Sequence, residues 1–243
     1  MTLGNLLAFD IETVPDVELG RRLHGLEGLS DKQVGYVMQT RQREETGSEF
    51  LSLEQHRIVA IAVALRTGEG FAARSIGDPH TPEAELVQRF YVEVERHAPV
   101  LVSWNGDAFD GPVLRYRALR HRVRAHLFDW RHVDLMDALS GTRGGGRVRL
   151  DNAAQLLGLP GRLGTSGERV WEAHLAGRVE DIRNDCETDV LNTYLVYLRF
   201  ELARGRLDVD GHDREYGLVR EFLARSGKAH LQQYLDAWPA PGA

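Results

Sequence analysis

Asp10 and Glu12 stand two residues apart in the stretch Ala8-Phe9-Asp10-Ile11-Glu12-Thr13. The apolar run Leu6-Leu7-Ala8-Phe9 before them has the length and side chains of a buried strand. Residues at spacing two on a strand project from one face, so the two carboxylates point the same way. Paired carboxylates under cover of protein are costly unless cations neutralise them. Hard divalent ions such as Mg2+ or Mn2+ take such oxygen ligands. Taken alone, the pair also reads as a strand end fraying into acidic, solvent-facing residues.

Two further places add acids. Asp110 follows the apolar strand-like run Val100-Leu101-Val102-Ser103-Trp104 by a short polar loop, Asn105-Gly106-Asp107-Ala108-Phe109. In an open α/β sheet the crevice beyond the carboxyl ends of strands holds the chemistry, and Asp110 sits just past such an end. Asp185 and Asp189 are one turn apart on the longest helical pattern and share a face. On its own that pair is also a common exposed acidic face. Asp107 reads as a turn former, Cys186 as a small buried thiol, and Trp104 and Phe109 as core aromatics or base-stacking ones. His56, His97, His121, His126 and His132 lack the mutual spacing of a zinc site and read as structural or exposed.

The elements that must position these acids follow from periodicity. After the first strand, helices are expected over 16–29 and 30–45, then a polar connection to residue 55. Together they form a helical insertion at about 16–55. A strand over 56–65, a turn at 67–70 and a returning strand over 71–76 give the sheet an antiparallel start. Thr81 with Pro82 opens a helix that Pro99 stops. A helix between two strands implies a crossover, so this part of the sheet, with the strand over 100–104, is expected to be parallel. A helix opening at Gly111-Pro112, a strand over 128–133 and a helix capped by Asp134 come next. The glycine run Gly144-Gly145-Gly146 lies in a loop over 141–149 that lacks the Gly-Lys-Ser/Thr end of a phosphate loop. A short helix capped by Asp151 and a loop over 161–167, with Arg162 and Arg169 close by, precede the long helix. That helix carries Val179, Ile182, Cys186, Val190, Tyr194, Leu198 and Leu202 as one stripe and ends at Gly205. Two more helices are expected from Asp213 on.

Whole-chain properties bound the class. A chain of 243 residues with 42% hydrophobic and 27% charged residues can build one large core, and a single domain over 1–243 is expected. No run is long and apolar enough to span a membrane, and the N-terminus lacks a basic region followed by an apolar stretch. A single cysteine excludes an intrachain disulfide and fits a reducing, cytoplasmic setting. The formal charge of -6 does not advertise a nucleic-acid binder, though an acidic metal site and a basic rim can coexist. Among the 30 Lys+Arg only Lys32 and Lys228 are lysines, an arginine bias that fits genome composition better than phosphate contacts.

In their contexts the acids match a known pattern. Phe9-Asp10-Ile11-Glu12-Thr13 resembles the first motif of the DEDD superfamily of 3'–5' exonucleases. Asn105 through Phe109-Asp110 resembles the second, N-x-x-x-F-D, and Asp185-Cys186-Glu187-Thr188-Asp189 falls where the third belongs. The resemblance spans roughly residues 5 to 240 and is nearest to stand-alone bacterial proteins related to the proofreading domain of family B DNA polymerases. It implies a ribonuclease-H-like α/β fold, with three antiparallel strands followed by parallel ones, flanked by helices. It implies two divalent ions held by Asp10, Glu12, Asp110 and Asp189, and places Thr13, Asn105 and Phe109 near the terminal nucleotide.

One position departs. The tyrosine branch of the superfamily reads Y-x-x-x-D in its third motif and the histidine branch H-x-x-x-x-D, whereas here Asp185 and Asn184 hold those places. Three outcomes stay open: Asp185 accepts the proton of the attacking water, activity is weak, or a tyrosine has been substituted in this chain. The expected function is metal-dependent hydrolysis at single-stranded 3' ends, DNA ahead of RNA. The alternatives are a nuclease-fold module that grips ends without cutting, and a phosphohydrolase of small molecules using the same metal pair.

Overall fold

The computed structural model describes residues 4–125, 131–141, 146–163 and 170–239. His126, the first half of the strand expected over 128–133, Gly144, Gly145 and Arg169 lie outside the described residues. So does the stretch 164–167.

Strand β1 (Leu6–Pro15) is the spine. It runs straight through the acidic motif, so Asp10 and Glu12 lie mid-strand rather than at a frayed end. It pairs antiparallel with β2 (His56–Thr67), which pairs antiparallel with β3 (Gly70–Ser75). On its other edge β1 pairs parallel with β4 (Val100–Ser103), and β4 pairs parallel with β5 (His132–Asp134). The order β3-β2-β1-β4-β5 is the mixed, ribonuclease-H-like α/β sheet that the motifs imply.

Period-two alternation divides β1 between two cores. Leu7, Phe9 and Ile11 face α3 (Glu83–His97) and α4 (Asp110–His121), packing with Phe90, Val87, Val113 and Leu114. Leu6, Ala8 and Val14 face the opposite layer, which is built on α8 (Val179–Ala203). Asp10 and Glu12 share that second face with Ala8, so the carboxylates are aimed at α8 by the same alternation that buries their neighbours. Helix α8 is buried on almost every side from Cys186 to Leu198, not along a single stripe. The sheet covers one side; α6 (Leu150–Leu156), α7 (Val170–Leu175), α9 (Val209–Arg225) and α10 (Ala229–Ala237) cover the other. A helix enclosed all round loses its amphipathic signature.

Helices α1 (Val17–His24) and α2 (Asp31–Thr46) lie between β1 and β2 and form a small third core around Val17, Val34, Met38 and Leu51. Trp171 of α7 packs on it. A side chain at Gly35 would put its Cβ 2.9 Å from the indole Nε1, so glycine is required at that crossing.

Several boundaries differ from the sequence expectation. Thr81 does not cap α3; its hydroxyl accepts from the Asp78 amide at 2.8 Å, and the helix opens at Glu83 after Pro82. Helix α4 opens at Asp110, not at Gly111. Asp151 lies inside α6, whose N-cap is Arg149, because its carboxylate is engaged by the Arg162 amide at 2.8 Å. Helix α9 opens at Val209, where Asp208 caps it, ahead of the expected Asp213. Between Asp134 and Ser140 lies the short α5 (Leu135–Ser140), capped by Asp134 as expected. Among the described residues no helix is long and apolar enough to cross a membrane.

Candidate active site

Strand β1 and helix α8 bring three carboxylates together. One oxygen from each of Asp10, Glu12 and Asp189 lies within 4.8 Å of the others. Glu12 and Asp189 are buried and Asp10 is half-buried. Asp110 joins from the first turn of α4, where its Oδ1 accepts from the Ile11 amide at 3.0 Å. Thus β1 fixes Asp110 through its backbone while presenting Asp10 and Glu12 on either side of that amide.

The electrostatics are those of like charges under cover. Burial first, and then Asp110, Glu12 and Asp189, push Asp10 well above the ordinary carboxylate range. Burial and Asp189 raise Glu12 to about 8, against the pull of Arg162. Burial raises Asp110 to about 7 although backbone N–H groups oppose it. Asp189 is raised by burial too, with Arg162 opposing. Such a group is stable either protonated or with cations between the carboxylates. The donors are all oxygens, which fits a hard divalent ion.

Among the described residues Arg162, on the loop after α6, reaches this cluster. Its Nη2 bonds Asp189 Oδ2, its Nε lies 3.4 Å from Asp189 Oδ1, and Nη2 is 4.0 Å from Glu12 Oε1. Asp185 is half-buried one turn before Asp189, and its charge bears on both Glu12 and Asp189. The Cys186 thiol points at Asp10, 3.4 Å from its backbone O and from Oδ2, and burial pushes its pKa up. It is a neutral wall of the site rather than a nucleophile.

The loop carrying Asp110 is held by residues whose roles the sequence did not disclose. Asp134 Oδ1 accepts from the amides of Asn105 at 3.1 Å and Met136 at 3.0 Å, and Oδ2 accepts from Asp107 at 2.9 Å. Asn105 is thereby kept at a positive φ of 66°. Ser103 Oγ lies 2.8 Å from His132 Nε2, and His132 Nδ1 lies 2.8 Å from Asp107 Oδ1. The distances mimic a Ser-His-Asp triad, but Ser103 is fully buried and accepts from the Gly106 amide at 3.1 Å. A Cβ on Gly106 would meet that oxygen at 2.2 Å. The chain Ser103–His132–Asp107 braces the loop and has no access to a substrate.

Beside the carboxylates opens a cavity of about 550 Å³. Glu12, Thr13, Phe109 and Arg162 line it, with Phe50, His56, Arg149 and Trp171. Asn105 lies on the loop before Phe109 and does not line it. His56 Nε2 faces the Leu51 carbonyl at 3.2 Å, and a carbonyl only accepts, so Nε2 carries the proton. His56 Nδ1 then accepts from the Thr13 hydroxyl at 2.9 Å. Burial lowers the His56 pKa, which keeps this neutral tautomer. Phe50, His56 and Phe109 contact one another with ring centroids 5.1–5.5 Å apart, and Phe50 is exposed. Trp104 stands apart, its indole N–H on the Val148 carbonyl at 3.2 Å. Sequence reasoning missed Phe50, Trp171 and the part played by His56: Phe50 lies on the segment after α2, His56 opens β2 beside the end of β1, and Trp171 comes from α7. Arg162 carried a faint signal as a cation next to glycines.

A family model described as a predicted 3'-5' exonuclease related to the exonuclease domain of PolB matches residues 48–130 and 126–238. Among solved structures, the chain is similar to the family B DNA polymerase from the hyperthermophilic archaeon Pyrobaculum calidifontis. That match has 17% identity and a TM-score of 0.47, over 92% of this chain and 29% of that one. It is also similar to Exonuclease I in its apo form, at 12% identity and a TM-score of 0.38, over 92% of this chain and 47% of that one. The chain therefore spans less than half the length of either. No curated protein matches it.

Proposed function

Because the chain belongs to the family of predicted 3'–5' exonucleases related to the exonuclease domain of PolB, we propose that it is a metal-dependent 3'–5' exonuclease acting on single-stranded nucleic acid, DNA ahead of RNA. The observation that carries the proposal is the convergence of half-buried Asp10 with buried Glu12 and Asp189, all raised in proton affinity and flanked by Asp110. Asp10, Glu12, Asp110 and Asp189 would hold two divalent ions, Mg2+ or Mn2+. When bound, such ions neutralise charge at the phosphodiester and make an attacking water more acidic.

The chain's own residues supply the rest. The cavity of about 550 Å³ is large enough for one nucleotide, and an unpaired end enters it more readily than a duplex. Phe50 and Phe109 offer faces for the terminal base. The Thr13 hydroxyl, committed as donor to His56, keeps lone pairs to accept from a sugar hydroxyl. Asn105, behind Phe109, orients the loop rather than touching the base. Asp185 takes the place of the tyrosine and accepts a proton from the attacking water. The water oxygen forms a new bond to phosphorus, the bond from phosphorus to the 3' oxygen of the preceding nucleotide breaks, and a nucleoside monophosphate leaves.

A second reading rests on Asp185 itself: without the tyrosine, the module grips ends and does not cut. A labelled oligonucleotide incubated with this chain and with Asp185→Tyr, in Mg2+ and then Mn2+, separates the two. Shortening by the unsubstituted chain supports the enzyme. A retarded strand of unchanged length, shortened only by Asp185→Tyr, supports the binder.

A further inference from the structure

We infer that Arg162 is a partner-switching cation: it pairs with Asp189, beside Glu12, while no divalent ion is there, and turns to the phosphate of a bound strand once an ion takes its place. This rests on the metal-site reading above. The guanidinium bonds Asp189 through Nη2 and Nε and stands 4.0 Å from Glu12, so it occupies the space between two carboxylates assigned to a metal ion. The same oxygens cannot serve both cations. A divalent ion brings two charges and a compact oxygen-seeking shell, whereas a guanidinium brings one charge spread over a plane.

The root of the side chain is fixed. The Arg162 amide donates to Asp151 Oδ1 at 2.8 Å, and the Gly161 carbonyl accepts from Asn192 Nδ2 at 2.9 Å. Asn192 is held in turn by the Tyr234 hydroxyl at 2.6 Å. The loop is thus bolted to α6 and α8 while the side chain stays 25% exposed and lines the cavity. A guanidinium displaced from Asp189 by an ion still stands on this wall of the cavity. The planar fork suits two oxygens of a phosphate. Glu12 lines the same cavity, so the phosphate that reaches the carboxylates also comes within range of Arg162.

The test is a Mn2+ titration, followed by electron paramagnetic resonance, of the full chain, Arg162→Gln, Arg162→Lys and Asp189→Asn, paired with single-turnover cleavage of a labelled strand at saturating Mn2+. Arg162→Gln is expected to bind Mn2+ about tenfold more tightly, because the competitor is gone. Its cleavage at saturating Mn2+ is expected to fall about a hundredfold, because the phosphate has lost a charged donor. Arg162→Lys keeps the charge and should restore most of both properties. A merely structural arginine would not tighten metal binding when removed. Unchanged or weaker Mn2+ affinity in Arg162→Gln, or unchanged cleavage at saturating Mn2+, overturns the inference. If Asp189→Asn binds Mn2+ as the unsubstituted chain does, the metal-site reading fails and takes the inference with it.

Discussion

Replacing Glu12 by glutamine should stabilise the metal-free protein at alkaline pH while impairing its metal site. Glu12 is buried among Asp10, Asp189 and Asp185, and burial lifts its pKa from an ordinary 4.5 to about 8. In that window the folded protein keeps a proton that the unfolded chain has lost. Stability contributed by the neutral carboxyl is therefore complete below pH 4.5 and falls as pH rises toward 8. Each pH unit costs about 1.4 kcal/mol for a fully shifted group. Glu12 shares its proton with the neighbouring carboxylates rather than titrating alone, which sets the destabilisation at pH 8 at about 2 kcal/mol rather than the full product. Glutamine has the same shape and never ionises. For a chain of this size that translates to a melting temperature raised by about 4–8 °C at pH 8 in chelator, with no gain at pH 4.5. Added Mn2+ should reverse the ranking, since binding to the folded state stabilises only the chain that retains its ligands. Thermal melts of both proteins from pH 4.5 to 8.5, with chelator and with Mn2+, measure all of this. A glutamine variant that melts at or below the unsubstituted protein at pH 8 in chelator would refute the reasoning.

Other perturbations separate positioning from stability. Asp134→Asn removes the charge that organises the amides of Asn105 and Asp107; activity should fall about 10–100-fold with little change in melting, read by initial rates beside a melt. Arg117 is buried between Asp16 and Glu83, with its Nη1 2.7 Å from Asp16 Oδ2 and its Nε 2.7 Å from Glu83 Oε1. Arg117→Met leaves Asp16 to Arg120 at 3.6 Å and Glu83 to His121 at 2.8 Å, and should cost about 3 kcal/mol in a denaturant titration. Phe50→Ala, at an exposed ring, should raise KM for a single strand about tenfold and leave folding unchanged.

Much of the fold was legible because local rules governed it. The alternation in Leu6–Ile11, the turn at Thr67-Gly68-Glu69-Gly70 and the helix between two strands were enough to give an antiparallel start and a parallel continuation, while the order of the strands came only with the structure. Spacing also foretold that Asp10 and Glu12 share a face, and the motif contexts picked out Asp110 and Asp189, which the fold carries to the same place. What escaped depends on contacts distant in sequence. Arg162 reaches Asp189 across 27 residues and His56 reaches Thr13 across 43, and neither distance leaves a periodic trace. The apolar stripe of α8 understated its burial, because the helix is covered on nearly all sides, with Glu187 pinned by Lys228 and His230. Asp151 looked like a cap because an aspartate before apolar residues usually is one; here a loop amide claimed its carboxylate first.

The most direct measurement is a time course with a 5'-labelled single-stranded DNA and its RNA counterpart in Mn2+, comparing this chain with Asp10→Ala. Asp10 sits among Glu12, Asp110 and Asp189, so a metal-dependent ladder shrinking from the 3' end is expected, and it should disappear in Asp10→Ala. Equal metal-dependent cleavage by both proteins would contradict it, because the cutting would then owe nothing to the buried carboxylates of β1 and α8.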